Sequence, residues 1–233
     1  KLSVKDSQLV IEQSGEIVGK IPVEDIGILI IDHPAVLYTH IAITALVENN
    51  AAVIFSAKNH HPTGLLLPLD TNSVQSERFR HQVEAGQPIK KRLWQLTVQA
   101  KIKNQGNLLT KFGVKNERLN NLAKKVKSGD PQNIEAQAAR FYWPRVFGEN
   151  FRRERKGPPP NNFLNYGYMV LRAAVARSLV SSGLLPTLGI HHRNRYNAYC
   201  LADDVMEPFR PFVDLVVLRI VKNFDTVEDL SPE

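Results

Sequence analysis

The stretch Gln87-Pro-Ile-Lys-Lys-Arg-Leu-Trp-Gln-Leu-Thr-Val-Gln-Ala100 decides how this chain divides. Pro88 suits a first helical turn, and Leu93, Leu96, Ala100 and then Leu108 recur at helical steps, which predicts a buried stripe on a long helix. Upstream of Ser76 the period is different. Leu9, Ile11, Ile17 and Ile21 alternate with polar residues around the turn signal Ser14-Gly15, and Ile26 to Ile31 is continuously apolar. Both are strand patterns. A short amphipathic stretch at Tyr38 to Val47, a strand at Ala51 to Phe55 and another near Leu65 to Leu69 complete that part. The expectation is an α+β chain: a small N-terminal β-rich domain over residues 1–72, then a larger all-helical domain over 73–233.

The two parts differ in charge as well as in period. Residues 1–70 carry four Lys/Arg against eight Asp/Glu, and the remainder 26 against 15, within a net charge of +7. Such asymmetry points the larger part towards a polyanion, because Lys and Arg that neutralise phosphates release condensed counterions. No apolar run approaches the roughly 20 residues of a spanning helix, and no charged-then-apolar leader is present, so a membrane is not an expected partner and the cytoplasm is the expected compartment. Cys200 is the only cysteine, which excludes an internal disulfide and a thiolate metal site and leaves it as a small packing residue.

Downstream the helical reading continues. Asp130-Pro131 reads as an N-cap with Pro at the first position, so a helix is expected from Pro131 to about Trp143, ahead of Pro144. Gly157-Pro-Pro-Pro is a break, and Phe163 to Val180 resumes as an Ala-rich helix. From Leu201, apolar residues at 201, 205, 209, 212, 216 and 220 predict a buried stripe, with Asp203, Asp204 and Glu207 clustered on another flank. Pro208 should kink this helix beside Glu207.

Three groups stand out as one chemical set. Glu135 lies one turn into its helix, with Ala138 and Ala139 leaving open space beside it. His192 lies in Gly189-Ile-His-His-Arg-Asn-Arg-Tyr-Asn, and Glu207 in Leu201-Ala-Asp-Asp-Val-Met-Glu-Pro-Phe-Arg-Pro. Together they could hold one divalent cation. Carboxylates with one imidazole suit Mg²⁺ or Mn²⁺. His191 is the competing histidine, and Asp203, Asp204 and Arg210 are candidates to orient the set. Arg210 could instead pair with Asp214. Each residue singly could be an exposed or capping side chain; their company favours the cation.

Basic residues supply the second constellation. Residues 90–127 hold eleven Lys/Arg and one acid, Glu117. A solvated face normally mixes both signs, so one-sided charge favours a nucleic-acid track with Lys90, Lys91, Arg92 and Lys101 in contact with double-stranded DNA. Arg140, Arg145, Arg152 and Arg153 flank the Pro-rich loop, and Arg193 follows the histidines. None carries a base-reading signature, so shape and phosphates should be recognised.

The segments Asn161-Asn-Phe-Leu-Asn-Tyr-Gly-Tyr-Met-Val-Leu-Arg, Gly183-Leu-Leu-Pro-Thr-Leu-Gly-Ile-His-His and Leu201-Ala-Asp-Asp-Val-Met-Glu-Pro-Phe-Arg-Pro-Phe-Val-Asp resemble the CRISPR-associated spacer-acquisition integrase, the "Cas-one" family. The phrasing is closest to the branch that accompanies the large single-protein effector nuclease. The resemblance covers about residues 76–222 and implies a β-rich domain before a helical catalytic one. It implies Glu135, His192 and Glu207 as metal ligands, with Asp204 at an acidic position that some members use. It further implies a homodimer joined through the β domains, a small ferredoxin-like companion subunit of the CRISPR adaptation complex, and the effector nuclease as a further partner. The implied activity joins the 3′-hydroxyls of short foreign DNA fragments to the repeat array by transesterification. Two other readings remain open: a non-catalytic, architectural DNA-binding subunit, and a phosphodiesterase that cuts RNA or branched DNA without integration.

Overall fold

The computed structural model describes residues 1–223 apart from positions 59, 61 and 70. The polar tail expected after the last helix lies outside the described residues. The described residues form two compact units: Lys1–Arg80 with Ala173–Leu185, and His81–Arg172 with residues 186–223.

In the first unit, β1 (Leu2–Lys5), β2 (Gln8–Gln13) and β3 (Glu16–Pro22) form an antiparallel meander. Its tight turns place Asp6, Ser7 and Ser14 at positive φ, with Gly15 next to Ser14. A second sheet pairs β4 (Ile28–Ile31) in parallel with β5 (Ala52–Ser56), which then turns back to β6 (Pro62–Leu66). A parallel pair needs a crossover, and α1 (His40–Glu48) supplies it, capped by Thr39 accepting from the Ala42 amide. Leu9, Val23, Ala42, Leu46 and Val53 form the core. Leu69, expected in the last strand, falls after β6 and is exposed. The last turns of α6 (Asn161–Ser181) belong to this unit, where Asn50 donates to Ser181 Oγ at 2.6 Å and Thr71 donates to the Val180 carbonyl.

The helical unit follows α2 (Gln75–Glu84) with the long α3 (Gln87–Thr110), then α4 (Glu117–Lys125), α5 (Ile134–Phe147), α6, α7 (Cys200–Met206) and α8 (Arg210–Asn223). Its core comprises Trp94, Val98, Ile102, Leu109, Leu119, Ala138, Tyr142 and Leu218 among others. Among the described residues no helix is long and apolar enough to cross a membrane.

The structure departs from four local expectations. The buried face of α3 is Trp94, Val98, Ile102, Gln105 and Leu109, with Leu108 buried as expected, while Leu93 and Leu96 are exposed. Two apolar stripes compete on that helix, and the one with the large indole wins because it removes more apolar area from water. α5 begins three residues later than Asp130-Pro131 suggests. Asn133 is its cap, while the Asp130 carboxylate accepts from the Ile134 and Glu135 amides at 2.9 and 3.0 Å and so caps from outside. Pro144 stays inside α5 instead of ending it. In the last helices the expected stripe fails at Phe209, Phe212 and Val216, all exposed, whereas Asp203, Asp204, Glu207 and Asp214 are buried. The expected kink is present. Pro208, lacking an N–H, lies in a 3₁₀ turn at Glu207–Phe209 that separates α7 from α8.

Candidate active site

Buried acids need partners, because an unpaired carboxylate away from water costs several kcal/mol. The partner of two of them is Lys101. Its Nζ donates to Glu135 Oε1 and to Glu207 Oε2, each at 2.5 Å, which brings oxygens from α5 and from the 3₁₀ turn within about 5 Å of one another. Arg210 closes the cluster, its Nε donating to Glu207 Oε1 at 2.7 Å. Burial alone would raise the carboxyl of Glu207, which is 4% exposed, but Lys101 and Arg210 hold it below the usual range. Burial likewise opposes the Lys101 charge, and Glu207 and Glu135 outweigh it, so the ammonium is held more firmly than an ordinary lysine's.

Lys101 was expected on the DNA track. It stands instead inside the site, at 14% side-chain exposure, because it shares the inward side of α3 with Val98 and Gln105. A lysine at helical spacing with a buried stripe requires acids opposite it. That was the available signal.

His192 is placed by a different acid. Asp204 is fully buried, and its carboxylate accepts from the backbone amides of Ile190 and His191 at 2.7 and 2.8 Å and more distantly from that of His192. The same carboxylate meets His192 Nδ1 at 2.5 Å. That hydrogen bond raises the imidazole pKa against partial burial, and it leaves Nε2 as the ring nitrogen available to a ligand. Trp94 lies beneath the loop, stacked on His191 at 4.0 Å between centroids and edge-on to His192 at 5.8 Å. Gly189 makes the strap possible: a Cβ there would meet the His192 carbonyl oxygen at 2.3 Å and Asp204 Oδ2 at 3.0 Å.

The other expected orienting residues divide. Arg210 does hold Glu207, not Asp214. Asp203 does not: it accepts from Arg172 Nε and Nη2 at 2.6 and 2.9 Å and from Asn197 at 2.6 Å, so it fastens α6 and the histidine loop to α7. Asp214 accepts from Tyr142 Oη at 2.7 Å and from Tyr168 Oη, an arrangement with no sequence signal beyond the residue types. The space expected beside Glu135 is filled at Ala138, which is fully buried in the core.

The basic candidates are distributed over the surface. Lys91 and Arg92 are exposed near the start of α3 and Lys90 is partly buried there, while Arg152 and Arg193 are exposed, with Arg193 Nη2 on Gln87 at 2.5 Å. Arg153 is committed internally to Asn161 and Asn165 at 3.0 and 2.7 Å. Arg140 and Arg145 lie on the outer side of α5.

The donor set suits a divalent cation: Glu135 and Glu207 already share one positive charge, and an imidazole stands on the neighbouring strap. The Lys101 ammonium bridges the two carboxylates. Among the described residues no three His, Cys, Asp or Glu side chains are gathered as a ready-made coordination shell. His192 is held on Asp204 instead.

Two carboxylates, an imidazole and neighbouring cations are side-chain types that can act on phosphodiesters. Comparison with known proteins makes that specific. The family model described as "CRISPR associated protein Cas1" matches residues 1–229. The chain is 40% identical to the CRISPR-associated endonuclease Cas1 of Neisseria meningitidis serogroup C (strain 8013), over all of this chain and 76% of that protein. Among solved structures, a casposase bound to its integration product superposes with a TM-score of 0.73 at 22% identity, over 97% of this chain and 72% of that one. A Cas6-RT-Cas1–Cas2 complex gives 0.70 at 22% identity, over 97% of this chain and 27% of that one. The chain belongs to the Cas1 family, and with it to the endonucleases and integrases of CRISPR adaptation.

Proposed function

We propose that Glu135, His192 and Glu207 form the catalytic centre at which this chain joins the 3′-hydroxyl of a short DNA fragment to a phosphodiester at a repeat boundary. The observation that carries this reading is the single cation shared by Glu135 and Glu207, residues 72 positions apart, with the Asp204-bound imidazole on the adjoining loop. The reaction is a transesterification. The 3′-oxygen of the fragment bonds to phosphorus as the target strand's own 3′-oxygen leaves, the attacking hydroxyl gives up its proton to solvent or a nearby base, the leaving oxygen takes one up from solvent, and no nucleotide is consumed. A bound Mg²⁺ or Mn²⁺ would supply Lewis acidity and neutralise the charge developing on phosphorus. The chain's own residues do the rest. Glu135 and Glu207 would hold the ion, Arg210 keeps Glu207 ionised and aimed, and Asp204 sets the His192 ring with Nδ1 turned inward. Lys101 adds positive charge where the phosphate must sit. The lysines and arginines at the start of α3, with Arg152 and Arg193, would hold the DNA backbone in register. Water in place of the hydroxyl gives hydrolysis, so one site accounts for both endonuclease and integrase chemistry.

The partners follow from the same family. A neighbour solved in a Cas1–Cas2 assembly supports a small Cas companion subunit, which the family resemblance assigns a ferredoxin-like fold. The acidic first 72 residues are suited to the homodimer contact, and the effector nuclease is a further partner by the same resemblance. The decisive assay is transfer of a labelled 3′-hydroxyl duplex into supercoiled, repeat-bearing plasmid with Mn²⁺ or with EDTA. Glu207→Ala should lower joining by about a thousand-fold, a loss of roughly 4 kcal/mol of transition-state stabilisation, with DNA affinity retained. Unchanged joining would end the reading in favour of an architectural subunit.

A further inference from the structure

This inference rests on the integrase reading and concerns a different face of the molecule. Arg118 on α4 and Gln137, Arg140, Phe141 and Arg145 on α5 line a cleft of about 500 Å³. No acid lines it. Among the described residues no carboxylate pairs with any of these three guanidiniums, whereas Arg172 and Arg210 each have one. Three like charges gathered without a counterion repel one another, so the cluster favours an anion.

Its geometry says which kind. The Arg145 guanidinium carbon stands 3.6 Å from the Phe141 ring centroid and that of Arg118 4.8 Å from it. Arg145 Nη1 donates to the Phe141 carbonyl at 2.9 Å and Arg140 Nε to the Ala136 carbonyl at 3.4 Å. These contacts fix the side chains and leave most of their N–H donors available, in the planar forks that match phosphate oxygens. The aromatic ring is occupied by guanidiniums and so offers no stacking platform for a base. The cleft therefore suits a phosphodiester backbone without regard to sequence.

Its position separates it from the catalytic carboxylates. At 100° per residue, Gln137, Arg140 and Phe141 project roughly 140 to 240° around α5 from Glu135, and Arg145, about 80° from it, lies ten residues or about 15 Å further along the axis. We propose that this cleft is a second nucleic-acid site, gripping the backbone of a DNA segment separate from the one whose phosphate stands at Glu135 and Glu207. An integrase has use for two such grips, because the fragment and its target must be held at once.

The test is duplex affinity by fluorescence anisotropy across a salt series, with wild type and the triple variant Arg118→Gln, Arg140→Gln, Arg145→Gln. The triple should bind at least about ten-fold more weakly at low salt, and its plot of log affinity against log salt should be shallower by about two to three units. The matching Arg→Lys triple should keep most of the slope. An unchanged slope in the glutamine triple overturns the proposal. If that triple fails to fold, Arg140→Gln alone, at an exposed position, should lower the slope by about one unit, and no change there is equally fatal. Inorganic pyrophosphate distinguishes the source of the anion. Thermal stabilisation of wild type by pyrophosphate that duplex DNA abolishes supports a backbone site; stabilisation indifferent to duplex marks a small-anion site and overturns it. If the glutamine triple loses DNA as expected while wild type joins no ends with Mn²⁺, the integrase reading fails and the cleft stands.

Discussion

Glu207 and Asp214 are two buried carboxylates seven residues apart, exposed by 4% and 1%, and they are driven in opposite directions. Burial raises both. At Glu207 two full positive charges in contact overcome it, and the acid is held ionised. At Asp214 the contacts are tyrosine hydroxyls, burial dominates, and the pKa is pushed up to about 6. The same cost is also written into the tyrosines, whose hydroxyls are held well above their usual range, first by burial and then by Asp214. A carboxylate met by cations is kept ready for charge chemistry. One met by hydroxyls is a latch between α5, α6 and α8. Depth alone does not tell the two apart; the charge of the neighbours does.

The largest expected effect breaks the cationic side. Lys101→Met leaves Glu135 and Glu207 facing each other with Arg210 alone, and should cost about 3–5 kcal/mol of unfolding free energy in urea melts. Added Mn²⁺ should return part of that loss. A variant as stable as wild type, or one indifferent to Mn²⁺, removes the shared-cation account.

The next sharpens the comparison through pH. The folded pKa of Asp214 lies above its unfolded value near 3.9, so the native state binds the extra proton. Its stabilising contribution is present below about pH 4 and fades as pH rises through about 6. Two units correspond to roughly 3 kcal/mol at most. Glu207 has the opposite sign: its contribution is present above the ordinary carboxylate range and is lost on acidification. In stability measured from pH 4 to 7, the Asp214→Asn variant should lack the downward component that wild type shows between 4 and 6. Parallel profiles for the two proteins would show that Asp214 titrates normally.

The smallest effect concerns the latch itself. Tyr142→Phe removes one of the two hydroxyls on Asp214 and should cost about 1–2 kcal/mol, with joining activity and Mn²⁺ response little changed. A loss of joining larger than the loss of stability would show that the latch also positions the site.

Much of this was legible in the chain, and the failures share a cause. Periodicity separated strands from helices and placed Pro208 at a break, since backbone chemistry is local. The identities of Glu135, His192 and Glu207 came from residue types and from family phrasing in the second half of the sequence. Facing was harder. The spacing of Leu93, Leu96, Phe209, Phe212 and Val216 points inward because apolar periodicity ordinarily marks a core, yet ionic pairs occupy the inward side of the last helices and the aromatics remain outside. Lys101 was counted with the surface lysines because a linear count of charge carries no direction. Asp204 and Asp214, both acids on helices near Glu207, were separable only by what each touches: three amides and an imidazole for one, two phenols for the other.

The lack of room at Gly189 has a genetic corollary. A one-base change to an alanine codon would delete no acid and no arginine, yet the added methyl would collide with the strap backbone and with the Asp204 carboxylate that holds it. Because Asp204 is fully buried and takes its donors from that same strap, such an allele would lose stability and the placing of the imidazole together, from a substitution of one small residue by another.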